Sequence, residues 1–171
     1  MNFEDPSQSS PEQKLHLIDI FSPEIEDLFR DDGVLYKRKR EPLRRARQAT
    51  KPIIIETHLP SGLVETTLEA KKGDWIITGS VGEEFVVLED TFDTLYESLD
   101  DGTYLPREKT ILALKNPSGA SIEIRTSWGT QIGDKGCLLV VTLNDGNTFT
   151  SDRYLIGSEE LLRNNYEALE V

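Results

Sequence analysis

The sequence predicts an α+β protein, mostly antiparallel β, made of two related β-rich halves that each end in a short helix, plus a short N-terminal helix. Three observations carry this. From Lys51 onward, short β-branched and apolar runs alternate with turns containing Pro, Gly, Asn or Asp. Helical i, i+3, i+4 spacing of apolar residues occurs in only a few short stretches. Finally, four landmarks recur in one order: Pro-Ser-Gly at 60–62 and 117–119, Gly-Asp at 73–74 and 133–134, Gly-x-x-Phe at 82–85 and 146–149, and Tyr-Glu at 96–97 and 166–167.

Taken in order, residues 1–12 are rich in Ser, Pro, Gln and acids and read as a mobile tail. The apolar run from Leu15 to Phe21 suits a helical turn or an edge strand. Ser22-Pro23-Glu24 has the chemistry of a helix start: a hydroxyl to cap, a proline for the first turn and an acid at the positive end of the dipole. Ile25, Leu28 and Phe29 share a face, which predicts a helix over 23–31 with Gly33 as its stop. Residues 13–50 thus comprise this helix and a basic segment. The first half, 51–105, carries strand patterns at 52–57, 63–68, 75–78 and 85–88, then helical spacing at Phe92, Leu95 and Tyr96. The second half, 106–171, repeats the order with strands at 111–114, 122–126 and 137–142, a turn at Asn144-Asp145-Gly146, and a last helix beginning at Ser158-Glu159-Glu160. A unit of four strands and one helix lies near the lower size limit for independent folding, so two such units gain by burying their apolar faces together.

Composition narrows the function. The chain has 171 residues, 37% of them hydrophobic, and a net charge of −12. No run approaches the roughly 18 apolar residues of a membrane helix. The single cysteine, Cys137, has no internal disulfide partner, and the N-terminus lacks a signal-peptide pattern, so a cytoplasmic location is expected. With two histidines and one cysteine, no metal and no cofactor is expected. Walker, dinucleotide-binding and nucleophile-elbow motifs are missing, which argues against the commonest enzyme classes.

Charge is strongly segregated. Residues 34–50 hold 7 basic and 1 acidic side chains, whereas the segments 1–33, 51–105 and 106–171 each carry net negative charge. The cations are Lys37, Arg38, Lys39, Arg40, Arg44, Arg45 and Arg47. Four readings of this island remain open: pairing with internal acids such as Glu83, Glu84, Glu89 and Asp90, an acidic protein partner, a nucleotide or small anion, or nucleic acid. The negative field of the surrounding chain disfavours a duplex lying across it.

A second cluster accompanies the island. Tyr36-Lys37-Arg38-Lys39-Arg40-Glu41-Pro42, Gln48-Ala49, Lys72-Gly73-Asp74-Trp75-Ile76-Ile77-Thr78-Gly79, Gly82-Glu83, Phe92 and Tyr96-Glu97 together resemble the PGDYG-type domain of short phage and bacterial proteins. Lys72 stands where that family carries proline, and Lys135 follows the second Gly-Asp where an aromatic is expected. The resemblance implies a compact β-rich fold and no particular reaction. On the residues themselves, Gly73, Asp74 and Trp75 suit a turn entering an apolar strand, with Asp74 bonding backbone amides. The functional alternative has Asp74 and Glu83 converging on a ligand or basic partner. Trp128, in Ser127-Trp128-Gly129, reads as core filling or as an exposed partner anchor. The expected function is therefore a non-catalytic interaction or adaptor module that contacts an acidic protein through residues 37–47. Nucleotide or nucleic-acid binding through Arg44, Arg45 and Arg47 is the alternative.

Overall fold

The computed structural model describes residues 15–41, 43–79 and 81–169. The tail expected over 1–12 lies outside the described residues. The fold is β-rich, with two five-stranded antiparallel sheets, two hairpin layers and three short helices.

The first large sheet joins β2 (Val34–Arg38), β10 (Thr110–Lys115), β13 (Leu138–Leu143), β14 (Phe149–Ile156) and β15 (Tyr166–Ala168), in the order β14-β13-β10-β2-β15. The second joins β3 (Arg44–Gln48), β6 (Trp75–Thr78), β7 (Glu84–Val87), β8 (Tyr96–Ser98) and β9 (Thr103–Pro106), in the order β7-β6-β3-β9-β8. Each sheet therefore mixes strands from distant parts of the chain. A hairpin of β4 (Ile53–His58) and β5 (Val64–Ala70) interrupts the path from β3 to β6. Another, of β11 (Ile122–Thr126) and β12 (Gly129–Gly133), interrupts the path from β10 to β13, and β1 (His16–Leu17) adds to β11 in parallel.

Alternation along each strand divides these sheets into two buried faces. One face of the first sheet packs Leu114, Leu139 and Val141 against Ile25 and Phe29 of α1 (Pro23–Asp32) and against Ile122 and Ile124. Its other face packs Ile111, Ala113 and Val140 on Leu162 of α3 (Glu159–Asn165). In the second sheet, Ile77 and Val87 pack on Phe92 of α2 (Glu89–Leu95), while Ile76 meets Ile55 and Ala70 of the β4–β5 hairpin. Helix α1 starts as its sequence dictates, with the Ser22 hydroxyl accepting from the Ile25 amide at 3.2 Å.

The hairpins also seal sheet edges. The Gln131 carboxamide accepts from the Leu155 amide at 2.8 Å and donates to the Leu155 carbonyl at 2.9 Å, taking the place of a neighbouring strand along β14. A buried cation, Arg153, ties α1 to that same strand. It donates to the Ile20 carbonyl at 3.0 Å and pairs with Glu26 at 3.3 Å, with Phe21 against its guanidinium.

Two strands, β2 and β3, lie inside the basic segment, where the sequence pattern had shown only charge. Their alternation is real but is written in cations. Leu35 and Lys37 face one way and Tyr36 and Arg38 the other. Arg44 is buried where its neighbour Arg45 is exposed.

Candidate functional site

The basic segment is not one continuous patch. Its first four cations lie on β2 and the turn that follows, and its last three lie on β3, which belongs to the other large sheet. Three of the seven are engaged in bonds to other elements of the fold. Arg38 donates to the Leu95 carbonyl at 3.2 Å with its guanidinium 4.8 Å from the Tyr96 ring centre. Lys39 donates to the Arg163 carbonyl at 2.7 Å. These carbonyls lie in the last turns of α2 and α3, where the negative end of the helix dipole favours a cation. Arg107 does the same for α2, donating to the Asp93 carbonyl at 2.7 Å. Arg44 is buried and donates to the Asn165 carboxamide of α3, so it bridges the two sheets. Burial is the main cause that pulls the Arg44 pKa below its ordinary value, and the neighbouring Arg38 charge acts the same way.

The other four face solvent. Lys37 pairs with Glu108 at 3.3 Å, Arg40 with Glu97 at 3.1 Å, and Arg47 with Glu84. Both partners of each pair are at least 38% exposed at the side chain. Exposed pairs of this kind contribute roughly 0–1 kcal/mol, so a competing carboxylate can replace the internal one at little cost. Arg45 is exposed on β3, on the same face as Arg47, because residues two apart on a strand share a face. The internal acids named from the sequence are used selectively: Glu84 takes a cation of the island, while Glu83 and Glu89 lie against Gly79 and Gly73.

Asp74 and Glu83 occupy opposite ends of β6 and do not converge. The Asp74 carboxylate is buried and accepts from the Lys71 amide at 2.9 Å and the Glu89 amide at 3.0 Å. The second bond satisfies the first amide of α2, whose own cap residue, Leu88, has no side chain able to do so. Glu83 accepts from the Val81 amide at 3.1 Å within its own turn. Trp75 stacks on Phe92 with ring centres 4.0 Å apart and meets Tyr104 edge-on, so it is a core residue. Trp128 sits in the β11–β12 turn and is 37% exposed.

Sequence reasoning missed three features. The capping of helix C-termini by Arg38, Lys39 and Arg107 could have been suspected only with the topology in hand. Arg153, which the charge count did not single out, is 7% exposed. A shallow apolar groove of about 340 Å³ lies beside the end of α1, lined by Val34, Leu35, Leu112, Leu143 and Leu169. Among the described residues, no group of three or more His, Cys, Asp or Glu side chains is placed to hold a metal ion, and no helix is long and apolar enough to cross a membrane.

Comparison with known proteins adds no relative: no family model, no curated protein and no solved structure matches the chain.

Proposed function

We propose that the protein is a non-catalytic interaction module of the cytoplasm that contacts an acidic protein surface through the outward cations of its basic segment, Lys37, Arg40, Arg45 and Arg47. The observation that carries this reading is the division of labour within the segment. Arg38, Lys39 and Arg44 are committed to helix ends and to the bridge between sheets, while the other four stand at the surface of a chain with net charge −12. Outward cations set in a negative field favour a compact acidic partner over a long polyanion, because contacts beyond them are repulsive. The nucleic-acid reading loses one of its three arginines, since Arg44 is buried on the face opposite Arg45 and Arg47. We also read the two large sheets as copies of one unit, and the likeness to PGDYG-type domains as a shared β-rich plan.

Fluorescence anisotropy with labelled Asp/Glu-rich peptides and a labelled single-stranded oligonucleotide tests the function. The reading expects peptide binding that weakens at least tenfold in R45E/R47E. Tighter binding of the oligonucleotide, with an affinity falling steeply with salt, would overturn it in favour of nucleic acid.

A further inference from the structure

We infer that the chain is a duplicated unit whose two copies have exchanged their first strands. Strand β2 opens the first copy yet completes the sheet of the second, and β9 opens the second copy yet completes the sheet of the first. This inference stands independently of the partner proposed above.

The two large sheets share one strand order and one register. In each sheet the order is the same once strands are matched in chain order: β3, β6, β7, α2 and β8 correspond to β10, β13, β14, α3 and β15. The strand between the first and last of these is β9 in one sheet and β2 in the other. Residue pairing agrees in detail. Tyr104 lies opposite Ser98 and Arg44, and Tyr36 lies opposite Ala168 and Ile111. Trp75 lies between Gln48 and Val87, and Leu138 between Lys115 and Ile156. Isolated backbone bonds repeat as well. The Arg107 amide donates to Leu95 at 2.9 Å and the Lys39 amide to Asn165 at 2.8 Å. The Ala49 amide donates to Asp74 at 2.7 Å and the Asn116 amide to Cys137 at 3.1 Å. Tyr96 and Tyr166 each close their helix by donating to Phe92 and Leu162. Coincidence does not reproduce pairing, helix closure and turn bonds together.

The exchange makes the halves mutually dependent, because neither β3 and β8 nor β10 and β15 can be joined without a strand from the other copy. It also separates what the fold needs from what one copy has added. The counterparts of Lys37 and Arg38 are Leu105 and Pro106, and those of Arg44, Arg45 and Arg47 are Ile111, Leu112 and Leu114. The shared plan works with apolar residues at these positions, so the cations are a property of one copy.

Engineered disulfides in the full chain, in a Cys137→Ala background, test the exchange. Arg45 and Thr103 are directly opposed, as are Lys37 and Thr110. In the first pair the Thr103 carbonyl is turned away toward Leu99, which leaves a non-bonded site suited to a cross-strand disulfide. Peptide mapping under non-reducing conditions should find R45C/T103C and K37C/T110C linked in most molecules. If each copy kept its own first strand, β2 would occupy the place of β9 and bring Leu35 opposite Arg45. Linkage in L35C/R45C, with none in either expected pair, would overturn the inference. Because the two expected pairs probe different sheets, a folding defect in one still leaves the other to decide.

Discussion

Replacing Asp74 by alanine removes the group that caps α2 from outside the helix. Its carboxylate accepts two backbone amides, Lys71 at 2.9 Å and Glu89 at 3.0 Å, and is 8% exposed. Hydrogen bonds to a charged group are worth about 1.5–3 kcal/mol each, and loss of a helix cap costs about 0.5–2 kcal/mol. Both bonds are part-buried, and the Glu89 bond also places the carboxylate at the positive end of the helix dipole. The expected cost is about 2–4 kcal/mol. At roughly 2–4 °C per kcal/mol for a chain of this size, the midpoint should fall by about 5–15 °C. Urea unfolding followed by far-UV circular dichroism, with an unchanged slope, measures it directly. A partial rescue is built into the chain. The residue equivalent to Leu88 is Ser158, whose hydroxyl accepts from the Leu161 amide at 3.1 Å, and the residue equivalent to Asp74 is Cys137. Thus D74A/L88S should recover about 1 kcal/mol relative to D74A. If D74A loses less than about 0.5 kcal/mol, or L88S fails to restore any of it, the capping role is wrong and Asp74 is held for another purpose.

Three further outcomes follow from the packing and charges. R153M strands the Ile20 carbonyl and the Glu26 carboxylate, and because Glu26 retains 26% side-chain exposure the cost should be near the low end for a broken buried pair, about 3 kcal/mol in urea unfolding. W75A removes the ring stacked on Phe92 and should cost roughly 3 kcal/mol, with loss of near-UV dichroism from that cluster. Burial is the main cause raising the Glu65 pKa above the ordinary carboxylate value, so the ionised form is penalised in the folded state. The stability this group provides is full when it is protonated and is lost as pH rises through its raised value. E65Q should therefore be more stable than the parent at neutral pH and equal to it near pH 3. An unchanged difference across that range would show that desolvation does not govern Glu65.

Much of the β-rich character was legible because the core strands are written in β-branched and aliphatic residues. The runs at Ile76-Ile77 and Leu138–Val141 show it best. Of the strands that went unread, some carry charge or are very short, and β9, β12 and β14 lack a plain run of β-branched residues. In β3, an inward Arg44 beside an inward Ala46 hides the alternation that a hydrophobic count detects. Strands β8 and β15 span three residues each, directly after a helix, and their tyrosines continue the helical spacing. The landmarks of repetition were informative to unequal degrees. Tyr96-Glu97 and Tyr166-Glu167 fall at matching places, opposite Pro106 and Leu105 in one sheet and Arg38 and Lys37 in the other. Pro60-Ser61-Gly62 turns the β4–β5 hairpin, whereas Pro117-Ser118-Gly119 precedes the β11–β12 hairpin, so that match reflects shared turn chemistry alone. By register the partner of Gly73 is Gly136, three residues beyond the Gly-Asp that the sequence offered. For the site, charge counting located the basic segment, but only the topology separates the cations that hold helix ends from those that face outward.

A comparison of inward and outward cations decides the functional account. Lys37 and Arg45 are reversed together in one variant, K37E/R45E, and Arg38 is neutralised in another, R38Q. Each is titrated against an acidic peptide bound by the parent, and each is unfolded in urea. The account predicts at least a tenfold loss of binding with an unchanged midpoint for K37E/R45E, and a lowered midpoint with binding retained for R38Q below its transition. Parent-like binding by K37E/R45E would contradict it.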